Sequence, residues 1–469
     1  MFRFRSQIRA RLLLLLYTIG SLAVLVKLYL FLQSGSTAFR SAAWVPRAAR
    51  PFPAEIGRAG PLARRRVFIL THELSATGAP RVCAELAALL RGYGGADVIL
   101  SVQGWTAPLP LALRWLSQIV PSVNFSVDLV ASVDAARAAD VVIVSTVAPH
   151  QIEWMHRFRV AAPRHGGLIW WVHEGQSVMH QWDAAYTDTV ADAMTSGLVN
   201  ALIFPSASTR VWWTGVVAAR AAAAFANTGA RVPALPTSLS LPWGLPAWRT
   251  DAPRASIPAR GAALRARLYI APDAFVFLVV ASYNPLKGHR GIAKAFKRAQ
   301  AACGTAVALH LVTVGVALGA LPHYFPQKDL EWARADPVIH LLNATDAVSD
   351  FLAAADAVIS NTLDGGETWG LANLEALAAG VPLLSSRAGG ASEMLRDGVT
   401  ALLHDVPLVA DDSEEVALAA NMCRVVTDVG LRTALRERGR AHAVEHLGQA
   451  YLETDVVGAL AELIAALQA

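Results

Sequence analysis

From Arg66 onward, short apolar runs alternate with stretches of helical period, and the alternation stops once and begins again. Val67 to Leu70 reads as a buried strand, Pro80 to Leu90 as a helix with its proline near the first turn, and Asp97 to Val102 as the next strand. Val141 to Val144, Leu168 to Val172 and Ala201 to Phe204 continue the series, which a proline-rich break from Pro233 to Pro253 interrupts. Phe275 to Ala281, Ala308 to Val314, Val338 to Leu342, Ala357 to Ser360 and Val381 to Ser385 read as strands of a second series. Strands that are apolar throughout and alternate with helices imply parallel sheets covered on both faces. The expected fold class is therefore α/β, with two Rossmann-like parallel-sheet domains facing a cleft, and ligands at the carboxyl ends of the strands. A length of 469 residues suits two cores, and 54% apolar with 16% charged residues excludes a largely disordered chain.

Arg3, Arg5, Arg9 and Arg11 precede an apolar run, Leu12 to Leu32, long enough to cross a bilayer as a helix rising about 1.5 Å per residue. Arginines on the near side favour a cytosolic N-terminus and type II topology, with the rest of the chain in the lumen of the Golgi or endoplasmic reticulum. A cleaved signal peptide is the alternative, but its apolar core usually runs only about 7–15 residues. The expected order is a cytosolic tail (1–11), an anchor in the membrane (12–32), a proline-bearing stem (33–64), a first domain (65–245), a second domain (246–445) and a last helix (446–469) that returns to the first domain. Asn124-Phe-Ser126 and Asn343-Ala-Thr345 are glycosylation acceptors by sequence. The net charge of +5 is small and spread along the chain, which excludes a nucleic-acid groove. Cys83, Cys303 and Cys423 show neither a metal-ligand spacing nor an even disulfide framework, and are read as small buried residues.

The most informative stretch runs from Asn361 to Pro382: a strand ends at Ser360, a glycine-bearing loop follows, a helix starts near Gly370 and stops at Gly380. Free backbone N–H groups at such a helix start bind phosphate or sugar oxygens, and the helix dipole favours anions there. Glu367 in the loop and Glu375 in the helix face one crevice at different depths.

This stretch resembles the retaining GT-B glycosyltransferases of family four, whose hallmark is two glutamates separated by seven residues. Glu367 and Glu375 have that spacing, and Gly370, Ala376, Ala378, Gly380 and Pro382 fall in register. The resemblance implies that Glu367, with Thr368, Trp369, Gly370 and Leu371, binds the donor sugar and phosphates, while Glu375 holds the ribose. Trp369 stands where the family usually has phenylalanine. Gly389-Gly-Ala-Ser-Glu393 resembles the family's glycine pair with its downstream glutamate, the glycines allowing close approach of backbone to a ligand. Ser282-Tyr-Asn-Pro-Leu-Lys-Gly288 matches a loop whose lysine, here Lys287, neutralises donor phosphate; Ser282 occupies the place of a family arginine, and Arg290 follows as a second candidate cation. In the first half, Leu70-Thr-His-Glu-Leu-Ser-Ala-Thr-Gly-Ala-Pro80 is similar to the acceptor-side loop of a membrane-anchored subgroup, bringing Thr77, Gly78 and Ala79 near acceptor and donor phosphate. His173 aligns with a histidine near the reacting sugar, and Trp243 lies in the domain junction where asparagine is common.

The resemblance implies transfer of a sugar from a nucleotide diphosphate sugar, with retention, to an unidentified glycan, lipid or protein acceptor. No Asp-x-Asp occurs, so neither a metal nor another cofactor is expected. An NAD-dependent Rossmann enzyme is disfavoured because the loop after Leu70 lacks G-x-G-x-x-G. A degenerate GT-B module kept for binding or scaffolding is the alternative, and Ser282 is its best support.

Overall fold

The computed structural model describes residues 60–73, 78–102, 124–126, 129–229, 231, 233–247, 257–283, 285–303, 307–315, 336–345, 347–363, 367–406 and 413–469. The expected anchor at 12–32, the tail and nearly all of the stem lie outside them, as does Thr77. Among the described residues no helix is long and apolar enough to cross a membrane.

Two all-parallel sheets form. The first contains β1 (Arg66–Thr71), β2 (Asp97–Val102), β3 (Asn124–Ser126), β4 (Val141–Ser145), β5 (Leu168–Trp171), β6 (Ala201–Phe204) and β7 (Thr237–Ser240), in the order β3-β2-β1-β4-β5-β6-β7. The second contains β8 (Phe275–Val280), β9 (Leu309–Val314), β10 (Ile339–Leu342), β11 (Ala357–Ser360), β12 (Leu383–Ser386) and β13 (Leu402–His404), in the order β10-β9-β8-β11-β12-β13. Each sheet reverses its direction of growth once, between β1 and β4 and between β8 and β11. At such a reversal the flanking loops diverge and leave a crevice, where α/β proteins bind ligands.

The central strands are apolar because both their faces are covered. Every residue of β4, β5 and β6 is buried. Trp170 and Trp171, neighbours on β5, enter cores on opposite faces of the sheet. The proline-rich break is not free of strand: β7 falls within it and pairs with β6. β7 is a four-residue edge strand with no fully buried residue, so burial leaves no apolar run to read.

The helices that position the site and join the two lobes are α1 (Gly78–Gly92), α2 (Ala207–Thr228), α3 (His289–Ala302), α4 (Leu371–Ala379), α5 (Ser413–Thr427), α6 (Val429–Leu447) and α7 (Val457–Gln468). The chain between α6 and α7 runs against the junction segment, Leu245 N–H donating to Leu447 O (2.7 Å) and the Tyr451 hydroxyl to Pro242 O (2.9 Å). Near the end of α7, the Leu467 carbonyl lies 3.4 Å from where a Cβ on Gly166 would be. The cysteine reading needs correction: Cys303 at the end of α3 and Cys423 on α5 form a disulfide, with Cα atoms 4.9 Å apart. The two lie 120 residues apart, and only the packing of α3 on α5 brings them together. Cys83 is the buried free thiol that its apolar surroundings suggest.

Candidate active site

The loops after β8 and β11 are pressed together. Gly288, with φ of 60°, joins a single 3-10 turn (Pro285–Lys287) to α3, and a Cβ there would meet the Asn361 carbonyl at 2.3 Å. Only glycine fits that contact and that conformation. Leu363 N–H donates to Leu286 O (2.8 Å), and the buried Asn361 side chain accepts from His404 Nε2 (2.6 Å). Burial pushes His404 down to about 4, so its ring is neutral and donates one N–H. This scaffold sets Lys287 Nζ 2.6 Å from Glu367 Oε2, each side chain about one-fifth exposed. Two groups selected from separate motifs thus meet at the switch point.

The glycine pair lies against the segment that carries Glu367. A Cβ on Gly389 would lie 2.1 Å from Glu367 O and one on Gly390 2.2 Å from Thr368 O, while Gly390 N–H donates to Glu367 O at 2.9 Å. The pair packs against the backbone that carries Glu367 and Thr368, and so fixes that segment. Gly370, with φ of 83°, then turns the chain into α4, which begins at Leu371 and ends at a left-handed Gly380. The indole of Trp369 is buried and donates to Trp243 O (2.6 Å). Glu375, on α4, places Oε1 3.1 Å from Nη1 of Arg81 on α1. Glu393 accepts from Ala207 N–H (2.9 Å) and Ser208 N–H (2.6 Å), capping the start of α2.

Around the carboxyl ends of β1, β4 and β5 the first lobe gathers groups whose charged forms burial disfavours. His173 follows β5 and stacks on Trp171 with centroids 4.9 Å apart; burial and the neighbouring His72 push it down to about 3. His72 after β1 and His150 in the helix Pro149–Ala161 are likewise lowered, chiefly by burial. Burial raises Glu174 to about 7, partly offset by hydrogen bonds from backbone amides, including Val147 N–H at 3.0 Å. Thr146, just past β4, has φ of 71°, strained for a β-branched residue, and its carbonyl accepts from Trp170 Nε1 (2.6 Å). Gly78 and Ala79 form the first turn of α1. Among the described residues, no three His, Cys, Asp or Glu side chains group so as to hold a metal ion.

Residues 63–229 match the family model for "Glycosyl-transferase family 4", and residues 262–442 that for "Glycosyl transferases group 1". Both lobes are glycosyltransferase domains. Solved structures share the GT-B arrangement of the whole: HepE from Anabaena, in complex with UDP-glucose, aligns over 85% of this chain and 100% of its own, at 15% identity and a TM-score of 0.67. A glycosyltransferase from Rickettsia africae aligns over 86% and 99%, at 11% identity and a TM-score of 0.61. A curated relative, the lipopolysaccharide core biosynthesis glycosyltransferase LpsE of Rhizobium meliloti, is 34% identical over 113 residues. That stretch is 23% of this chain and 31% of LpsE, so the chain matches under a third of that relative's length.

In this GT-B chain Ser282 is exposed, and its carbonyl accepts from His289 Nε2 (3.1 Å), whose ring stacks on Tyr283. Arg290 is exposed on the first turn of α3. Arg81, Glu85, His72, His150 and Glu174 enter the site without having been singled out by sequence. For Arg81 one signal exists: an arginine in the first turn of a helix opposes the helix dipole and needs a reason to be there.

Proposed function

We propose that this glycosyltransferase transfers a hexosyl group from a nucleoside diphosphate sugar to an acceptor hydroxyl, retaining anomeric configuration and needing no metal. The observation that carries this reading is the Lys287–Glu367 pair at the β8/β11 switch point, with Glu375 on the helix that follows. As the sugar C1–O bond to the diphosphate breaks, negative charge grows on the leaving oxygen. The Lys287 ammonium and the amides from Thr368 to Leu371 stabilise it. The acceptor oxygen bonds to C1 on the same face, and its proton passes to the departing phosphate. His173, neutral at physiological pH, serves as a hydrogen-bonding group beside the sugar and not as a cation.

HepE binds UDP-glucose and UDP, which makes UDP-sugars the first donors to test. The acceptor is a glycan, lipid or protein hydroxyl. Residues 12–32 anchor the chain as a type II protein of the subgroup with the T-H-E-L-S-x-T-G-A-P head, its catalytic region in the Golgi or endoplasmic reticulum lumen. The Cys303–Cys423 disulfide, at home in an oxidising compartment, and the exposed Asn343 acceptor support that placement. Incubation with radiolabelled UDP-, GDP- and ADP-sugars tests the activity through slow release of free sugar. Hydrolysis of one donor, lost in Lys287→Ala, is expected; no turnover and no binding of any donor would favour the scaffold reading to which Ser282 lends weight.

A further inference from the structure

Arg81 occupies a place that a helix alone disfavours. It lies in the first turn of α1, where the dipole is positive, and its side chain is only 18% exposed. Two carboxylates offset this. Glu85, one turn along α1 and fully buried, sits 3.4 Å from Nε, and Glu375 of the other lobe sits 3.1 Å from Nη1. The second oxygen of Glu85 accepts from Trp243 Nε1 (2.8 Å), and the Trp243 carbonyl accepts from the indole of Trp369. The segment from Trp369 to Glu375 is thereby tied to α1 at both ends: directly by Arg81, and through Trp243 and Glu85.

We infer that Arg81 is a positioning residue for ribose recognition, reaching from the acceptor-side lobe to hold Glu375 in the orientation that receives the donor's ribose hydroxyls. The inference rests on Glu375 as the ribose-binding carboxylate. A diol is held by a carboxylate whose lone pairs are turned toward it. The guanidinium on Oε1 fixes the rotamer of that carboxylate. Because the guanidinium comes from the opposite lobe, ribose is read fully only when the lobes are together.

The test titrates UDP, GDP and ADP, each beside its 2′-deoxy counterpart, into wild type, Arg81→Met, Arg81→Lys and Glu375→Gln, with melting temperatures checking the fold. For the best-binding base, wild type should prefer the ribose form by about 10-fold, typical of a hydrogen bond to a charged group. Arg81→Met should cut that preference below about 3-fold, with affinity for the 2′-deoxy form changed less than about 2-fold, and Arg81→Lys should fall between. A merely structural arginine would weaken both forms alike and keep the preference, which overturns the inference while leaving the ribose assignment standing. Full preference in Glu375→Gln, or none in wild type, removes the ribose assignment and the inference with it. Should Arg81→Met fail to fold, unchanged preference in folded Arg81→Lys overturns the proposal and a reduced one supports it.

Discussion

At the switch point of the second sheet, between β8 and β11, two loops meet through an ion pair, Lys287 with Glu367. Around the matching point of the first sheet, between β1 and β4, burial disfavours charge: His72, His150 and His173 are lowered by it, and Glu174 is raised to about 7. The topology is shared and the electrostatics differ. A diphosphate leaving group calls for fixed charge, whereas an acceptor alcohol and the hydroxyls of a sugar call for hydrogen bonds. One fold used twice can divide the reaction between its halves in this way.

Removing the charge should do most damage. Lys287→Ala is expected to lower kcat/KM for transfer about 100- to 1,000-fold, the usual loss of one group stabilising developing charge. A variant within threefold of wild type would break the comparison at its charged end. Next comes the covalent staple of the second lobe. Replacing Cys303 and Cys423 by serine should cost about 2–4 kcal/mol, read from chemical denaturation, because the bridge closes a long loop. Equal midpoints for wild type and variant would refute the bridge. Glu375→Ala should then weaken donor binding by about 1.5–3 kcal/mol, and unaltered binding in a folded variant would remove its role.

The neutral end is tested by pH. A carboxyl raised in the folded state binds its proton more tightly there than in the unfolded chain. Its contribution to stability is complete below about 4.5 and is lost as pH rises through about 7. Glu174→Gln does not titrate, so its Tm relative to wild type should climb between pH 5 and pH 8. His173 runs the other way, losing its contribution as pH falls from 6.5 toward about 3. A Tm difference for Glu174→Gln that is constant with pH would mean the carboxyl is not held neutral.

The contrast also explains what could be read from the sequence. Strands covered on both faces, such as β1, β4, β6 and β8, are continuous apolar runs and are legible as such. The edge strand β7, Thr237–Ser240, has no fully buried residue and a sequence of Thr, Ser, Leu and Ser, so it offers no apolar run. The second lobe's site lies largely within one strand-loop-helix segment, so Glu367, Gly370 and Glu375 announce themselves together. The first lobe's site is assembled from His72 and His173 on two loops and His150 in the first turn of a helix, and no spacing encodes their meeting. Trp243 and Trp369 look like two unrelated departures from the family pattern; in the structure one indole donates to the other residue's carbonyl, and each makes sense only beside its partner.

The central claim, that the charge fixed by Lys287 and Glu367 serves a metal-free nucleotide-sugar site, is tested most directly by calorimetric titration of UDP-, GDP- and ADP-sugars in excess EDTA. The account predicts saturable binding of at least one donor in EDTA, unchanged by added manganese or magnesium and lost in Lys287→Ala. Binding that appears only when manganese or magnesium is restored, or that survives intact in Lys287→Ala, would contradict it.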